Sequence, residues 1–152
     1  MSNSTEGFKT VTSSPLNVGI NTTALTSTSD TTLNDVTDLC VDVAANSDYV
    51  FNGQLLVSGN APGNLKIKLN APSGASVRWA LPADTDNELS VTSEPNFTLD
   101  GTDKLINFNG VVEVGSTSGT LQVQAAQDVS NATATTVKAN SILTAQRLPK
   151  ND

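Results

Sequence analysis

The sequence lacks histidine and contains one cysteine, one tryptophan and one tyrosine among its 152 residues. Without histidine, zinc, copper and iron lose their commonest nitrogen ligand, and serine or cysteine nucleophiles lose their commonest base. The single cysteine, Cys40, permits no internal disulfide. The scarcity of Trp and Tyr leaves few platforms on which a sugar ring could stack. These absences argue against an enzyme and predict a protein without catalytic residues, bound metal or cofactor.

Basic charge and long apolar runs are also scarce. Eight Lys and Arg residues against fifteen Asp and Glu residues give a formal net charge of −7. Nucleic-acid binding needs a basic surface that displaces counterions, so this balance argues against it. No apolar run approaches the roughly 18 residues of a membrane span, and the N-terminus carries no apolar secretion signal. The sequence predicts a soluble protein that is made in a reducing cytoplasm and binds neither membranes nor nucleic acids.

Serine and threonine are abundant, with 36 residues between them, and this composition suits strands and turns better than helices. From residue 31 onward, apolar and polar residues alternate with a period of two. In the first such strand, Thr37, Leu39 and Val41 are predicted to face inward and Cys40 to lie on the polar face. Seven or eight short strands separated by turn signals predict an all-β fold, a jelly-roll-like antiparallel β-sandwich. The long connection over 82–103 favours a sandwich over a meander barrel, because it can cross between two sheets.

The first thirty residues differ from the rest. They are dominated by Ser, Thr and Asn, and such a segment cannot form a core of its own. We therefore predict an extended N-terminal arm over 1–30 and a β-sandwich domain over 31–152. The alternative is that 20–28 forms the first strand of the sandwich. The spaced apolar residues of the arm are the candidate partner-binding residues: Phe8, Val11, Leu16, Val18, Ile20 and Leu25.

Two segments resemble known ligand-binding loops only in part. Asp84–Glu88 presents alternate oxygen ligands, as at the start of an EF-hand calcium loop. That loop needs Gly at position six and Glu at position twelve, where this chain has Leu89 and Pro95, so a solvated loop is the preferred interpretation. Gly115–Gly119 joins two predicted strands and opens no helix, so it is interpreted as a hairpin and not as a phosphate-binding loop.

Two longer stretches carry a recognisable pattern. The first runs from Asp38 through Tyr49-Val-Phe-Asn-Gly to Ala75, and the second runs from Gly115 to Leu148. The most specific part is 126–141, with Ala-Gln, Ser-Asn-Ala-Thr and Val-Lys-Ala in succession. Together they resemble a module that recurs in structural proteins of tailed bacteriophages, and the match spans about residues 31–148. The resemblance implies a jelly-roll-like sandwich on the virion, commonly a trimer, with no catalytic site.

The resemblance leads to a functional hypothesis. The chain is little more than one module and an arm, which favours a capsid decoration (cement) protein of a bacteriophage virion, with the major capsid protein or other virion proteins as partners. A head or tail fibre subunit that binds a host-surface glycan is the alternative. A free carbohydrate-binding or carbohydrate-cleaving module is a third interpretation. The final segment, 141–148, is less bulky and less basic than the corresponding part of the module, so specific trimer contacts do not carry over.

The absence of histidine and of an activated nucleophile predicts that the purified protein hydrolyses neither esters nor glycans. Chromogenic esters and oligosaccharides incubated with it should react no faster than in buffer alone. Turnover that disappears when one carboxylate is changed to the matching amide would contradict this prediction.

Overall fold

The computed structural model describes residues 15–82 and 84–149, and every regular element in those ranges is a β-strand. The strands form two antiparallel sheets, which confirms the predicted all-β antiparallel sandwich. In chain order they are β1 (Asn17–Ile20), β2 (Leu25–Ser27), β3 (Asn34–Val43), β4 (Asp48–Ser58), β5 (Leu65–Asn70), β6 (Ser76–Leu81), β7 (Asp84–Leu89), β8 (Asn96–Phe97), β9 (Lys104–Glu113), β10 (Gly119–Ala126), β11 (Thr135–Val137) and β12 (Ile142–Arg147).

The strand order is that of a jelly roll. Sheet A runs β1-β12-β4-β9-β6-β7, with β11 pairing with both β4 and β2, and sheet B runs β3-β10-β5-β8. The pairs β6–β7 and β2–β11 are additions at the edges of sheet A. The remaining eight strands, numbered in chain order, are arranged 1-8-3-6 in sheet A and 2-7-4-5 in sheet B. Strands from the two ends of the chain therefore alternate in each sheet, as two Greek keys require.

The hydrophobic core lies between the sheets and is built from alternate residues of the long strands. Along β4 every second residue from Tyr49 to Val57 is buried, and the residues between them are exposed or half-exposed. Phe108 lies at the centre, with its ring centroid 6.4 Å from that of Phe51 and 5.7 Å from that of Trp79. The indole N–H of Trp79 donates to the Ser90 carbonyl at 2.9 Å. Trp79 is therefore a core residue.

The tripeptide Phe-Asn-Gly occurs twice and pairs with itself at the centre of sheet A. Residues 51–53 of β4 lie antiparallel to residues 108–110 of β9, so that each phenylalanine is opposite a glycine. A Cβ atom on Gly53 would lie 2.0 Å from the ring of Phe108. Glycine is therefore required where each ring crosses the neighbouring strand. The two asparagines are directly opposite each other and face away from the core.

The predicted alternation is wrong in the first half of β3. Val36 is buried there and Thr37 is exposed. The cause is a bulge, where the register with β10 shifts and Asp38 adopts a φ of 65°. The side-chain amide of Gln122 donates to the freed carbonyl of Val36 at 2.9 Å. Beyond the bulge the predicted alternation resumes.

Two connections also differ from the predictions. The segment 82–103 was expected to contain one short strand, but it contains both β7 and β8, and the acidic residues Asp84–Glu88 form most of β7. The segment Gly115–Gly119 was expected to be a hairpin, but it joins β9 of sheet A to β10 of sheet B. The alternation of apolar and polar residues ends at a turn in the same way whether the next strand pairs with the preceding one or lies in the facing sheet. The sequence pattern does not distinguish these two cases, and the hairpin interpretation is wrong.

Strands β1 and β2 lie inside the range 1–30 that the sequence analysis assigns to an extended arm. β1 pairs with β12 over four residues and supplies the first strand of the jelly roll. Gly19 is buried where β1 packs on β3, and a Cβ atom at Gly19 would lie only 2.2 Å from the carbonyl oxygen of Cys40. Residues 17–20 are therefore part of the sandwich, and they close the side where the edges of the two sheets meet.

A fully buried asparagine ties the chain after β1 to the start of β12. The side-chain oxygen of Asn21 accepts the N–H of Ser141 at 2.9 Å, and its amide nitrogen donates to the carbonyl of Lys138 at 3.0 Å. The backbone carbonyl of Asn21 accepts the N–H of Asn140 at 2.8 Å. These bonds join segments about 120 residues apart in sequence, so the N-terminal strand is attached by polar contacts as well as by pairing.

Replacing Asn21 by alanine should lower the free energy of unfolding by about 2–4 kcal/mol, because partners that are shielded from water lose their hydrogen bonds. Urea unfolding followed by the fluorescence of Trp79 measures this change. Asn70→Ala is the matched control, because Asn70 is exposed on β5 and its side chain has no hydrogen-bond partner among the described residues. A loss below 1 kcal/mol for Asn21→Ala, or an equal loss for the control, would contradict the prediction.

Candidate interaction surface

The two outer faces of the sandwich differ in charge. The outer face of sheet B carries the exposed carboxylates of Asp35, Asp38 and Asp42 on β3, and Lys66 and Lys68 on β5. Burying such groups against a partner costs free energy unless every charge finds an opposite charge. The outer face of sheet B is therefore a hydrated surface.

The outer face of sheet A is uncharged over most of its extent. Charge appears at the two ends, and most of it is paired there. Arg78 and Glu113 form an ion pair at 2.7 Å beside Asp48 at one end, and Lys138 pairs with Asp103 beyond Leu56 and Leu105 at the other. We call the uncharged remainder the A face and define it by the outward-facing residues of β1, β12, β4 and β9: Val18, Ile20, Ile142, Thr144, Gln146, Val50, Asn52, Gln54, Leu56, Leu105, Asn107, Asn109 and Val111.

Four side-chain amides occupy the centre of the A face. They form two cross-strand pairs, Asn52 opposite Asn109 and Gln54 opposite Asn107. Within residues 15–82 and 84–149, none of these four amide groups has a hydrogen-bond partner. With Thr144 they line a shallow depression of about 280 Å³. Because each amide both donates and accepts, the centre of the face is suited to hydrogen bonds with neutral polar groups.

Apolar side chains border the amides on three sides. Leu56 and Leu105 are directly opposite each other at one end, and Val50 and Val111 are opposite each other at the other end. Leu105 is 52% exposed, although it is a large apolar residue in the middle of a sheet. The third side is formed by β1. An apolar border around neutral hydrogen-bonding groups is typical of a protein–protein contact surface.

The predicted partner-binding residues fall into three groups. Leu16, Val18 and Ile20 are 53%, 50% and 44% exposed, and the last two belong to the A face at its β1 margin. Leu25 instead packs against the hydrophobic core. Phe8 and Val11, the remaining two, lie outside the described residues. The structure thus brings three of the six together at one margin of the A face.

Sequence reasoning missed the amides at the centre. The alternation of apolar and polar residues along β9 places its asparagines outward, but it does not show that they pair with Asn52 and Gln54. The available signal is the repeated Phe-Asn-Gly tripeptide, since two strands that each need a glycine opposite a phenylalanine can satisfy that need in each other.

The segment that carries the most specific part of the sequence resemblance has a structural role. Gln127 is fully buried. Its side-chain oxygen accepts the N–H of Asn131 at 3.1 Å, and its nitrogen donates to the carbonyl of Thr133 at 2.8 Å. The N–H groups of Asp128 and Val129 donate to the carbonyl of Gly63, each at 3.0 Å. These bonds hold the loop after β10 in place, and they occupy both the oxygen and the nitrogen of the Gln127 side chain.

Neither a metal site nor a membrane span is found in the described part of the chain. Residues 15–82 and 84–149 contain no group of three or more Cys, Asp and Glu residues arranged to hold a metal ion. The side chains of 84–87, which belong to the partial calcium-loop pattern, lie outside the described side chains. Within the same residues, no helix is long and apolar enough to cross a bilayer.

The described residues thus form a jelly-roll sandwich with one charged and one neutral, hydrogen-bonding outer face. Comparison with models of protein families finds no match, and comparison with curated proteins finds none either. Among solved structures, the chain is similar to a chain in the structure of infectious bursal disease virus, Gx strain, with 13% sequence identity and a TM-score of 0.38. The similarity covers 89% of this chain and 37% of that chain. A similarity at this TM-score supports no inference about function.

Cys40 is half-buried where β1 crosses β3, and burial raises the pKa of its thiol, with the nearby carboxylates of Asp42 and Asp38 raising it further. A raised pKa leaves less thiolate at pH 8, and the thiolate is the reactive form. The native protein should therefore react with an aromatic disulfide reagent at least about tenfold more slowly than the urea-unfolded chain. Stopped-flow absorbance measures both rates, and equal rates would show that the thiol is freely accessible.

Proposed function

We propose that this chain is a capsid decoration (cement) protein of a bacteriophage virion that binds the capsid surface as a homotrimer. The observation that carries the proposal is the A face, a broad neutral surface with an apolar border around the four unpaired amides of Asn52, Gln54, Asn107 and Asn109. Monomeric proteins rarely expose contiguous apolar surface without an interaction that uses it. The resemblance of residues 31–148 to a module of tailed-phage structural proteins supplies the kind of particle and the expectation of a trimer.

The titratable groups support a structural role. Asp100 accepts the hydroxyl of Thr102 at 2.6 Å and the ammonium group of Lys104 at 3.0 Å, and these bonds lower the pKa of its carboxyl. Hydrogen bonds from Thr32 lower the pKa of Asp30 in the same way. Both carboxylates are exposed and close their own turns. In each case the lowered pKa has a local cause within the turn that the carboxylate closes.

The proposed anchor is the segment that precedes β1. β1 begins at Asn17 on the margin of the A face, so the segment is joined to the sandwich at that margin. The segment contains Phe8 and Val11 among small polar residues, a composition that suits binding in shallow grooves of a neighbouring subunit. When a segment becomes ordered on binding, the loss of conformational entropy lowers the affinity, but the segment can contact a wider surface of its partner.

Deleting residues 1–14 should leave folding unchanged and abolish binding to capsids. The deletion keeps β1 and the buried Asn21, which hold the N-terminal strand in the sandwich. Co-sedimentation with undecorated capsids measures binding, and thermal unfolding checks the fold. The double substitution Phe8→Ser and Val11→Ser is the length-matched variant, and it should bind at least about tenfold more weakly. If both variants bind capsids as tightly as the full chain, the segment before β1 is not the anchor.

The alternative is a head or tail fibre subunit that binds a host-surface glycan. One observation favours it, an open cleft of about 460 Å³ in which the half-buried ring of Phe97 lies beside Asn96, Thr98 and Asn107. A ring next to neutral polar groups can bind a sugar. Calorimetric titration with host-surface oligosaccharides separates the two functions. Glycan binding that is lost in Phe97→Ala, together with no binding to capsids, would favour the fibre subunit.

A further inference from the structure

The A face combines two properties that a protein in water has no reason to bring together. Large apolar side chains, among them Val18 and Leu105, are about half exposed, and the four central amides, those of Asn52, Gln54, Asn107 and Asn109, have no hydrogen-bond partner within the described ranges. Scattered exposed apolar residues are ordinary, but a contiguous set around a hydrogen-bonding centre marks a surface that is covered by another molecule.

Charge indicates which molecule covers it. The chain carries a formal net charge of −7, so two copies repel each other at most orientations. On the outer face of sheet B, the carboxylates of Asp35, Asp38 and Asp42 outnumber the ammonium groups of Lys66 and Lys68, so this face would meet a like-charged neighbour. The centre of the A face presents no charge to another copy, and the charges at its two ends, Arg78 with Glu113 and Lys138 with Asp103, are already paired.

The central groups are also self-complementary. Residues close to a twofold axis meet their own copies, and residues close to a threefold axis each meet two copies. A carboxylate or an ammonium group that meets its own copy is repelled, whereas an asparagine can donate to its own copy and accept from it. Asn52 and Asn109 lie at the centre of the face, in a pair of identical tripeptides. The least charged and most self-complementary part of the surface is therefore its middle.

The area is sufficient for reversible association. Four strands at their usual spacing, with lengths between those of β1 and β4, cover about 500 Å² in projection. The accessible surface of side chains that project from a sheet exceeds its projection, and stable interfaces bury about 800 Å² per partner. The A face is close to this size, so it is large enough for a specific contact between copies.

We propose that the A face is the surface through which copies of this chain associate around a rotation axis. This inference deepens the proposed function, because it names the contact of the proposed homotrimer. It assigns Val18 and Ile20 to contacts between copies and leaves the segment with Phe8 and Val11 for the capsid.

The test places one charge at the centre of the face. Asn52→Glu and, separately, Asn109→Glu change exposed side chains, so circular dichroism and thermal unfolding should match those of the unchanged chain. Asn70→Glu on the outer face of sheet B is the matched control, since it makes the same chemical change at an exposed strand position. Light scattering after size exclusion, from about 1 to 100 µM, should show an oligomer for the unchanged chain and the control. Both A-face variants should dissociate at concentrations at least about tenfold higher.

Three results would overturn the inference. One is an unchanged chain that stays monomeric up to 100 µM, and another is an oligomer that Asn52→Glu and Asn109→Glu leave intact. The third is a loss of capsid binding in these variants with no change in mass, which would assign the face to the capsid. An oligomer that depends on the A face but does not bind capsids would instead retain this inference and reject the proposed function.

Discussion

The pairing of β4 with β9 is the constraint on which both the core and the proposed contact surface depend. The two strands are in register over ten consecutive residue pairs. Each residue on a strand faces the side opposite its neighbours, so this one register sends the phenylalanines inward and the asparagines outward together. A slip by one residue would expose the aromatic rings and bury the amides. The Phe-Asn-Gly tripeptides resist such a slip, because a Cβ atom on Gly53 would overlap the ring of Phe108.

The difference between the two outer faces has a simple energetic meaning. The desolvation of a carboxylate or an ammonium group costs far more than that of an amide, and a neutral amide recovers its cost with any donor or acceptor. The charged face of sheet B is therefore costly to cover, while the neutral A face can be covered at lower cost. In the proposed function, this distribution gives the molecule one preferred direction of association.

The N-terminal strand, β1, belongs both to the sandwich and to the surface of proposed association. β1 forms one margin of the A face and packs on the bulged part of β3. Gly19 permits the close approach of β1 to the backbone of Cys40. Asn21 then connects the strand to the residues that begin β12. Contacts made by the preceding segment would consequently act on a strand that is bonded to the rest of sheet A. In the proposed function, the segment that binds the capsid and some of the residues that contact another copy both belong to or adjoin β1, which is bonded to the rest of sheet A.

The sequence by itself determined the fold class and most of the core, because a period of two depends only on the local geometry of an extended chain. Along β4, β5 and β9 this period identifies the buried residues correctly, and the low basic charge and missing histidine restrict the function. The bulge at Asp38 and the crossing at Gly115–Gly119 were not predictable in this way, because each depends on which strand becomes the neighbour. The A face likewise exists only after β1, β12, β4 and β9 are brought side by side. Residues up to about 125 positions apart then share one surface, and only the tertiary structure decides such adjacency.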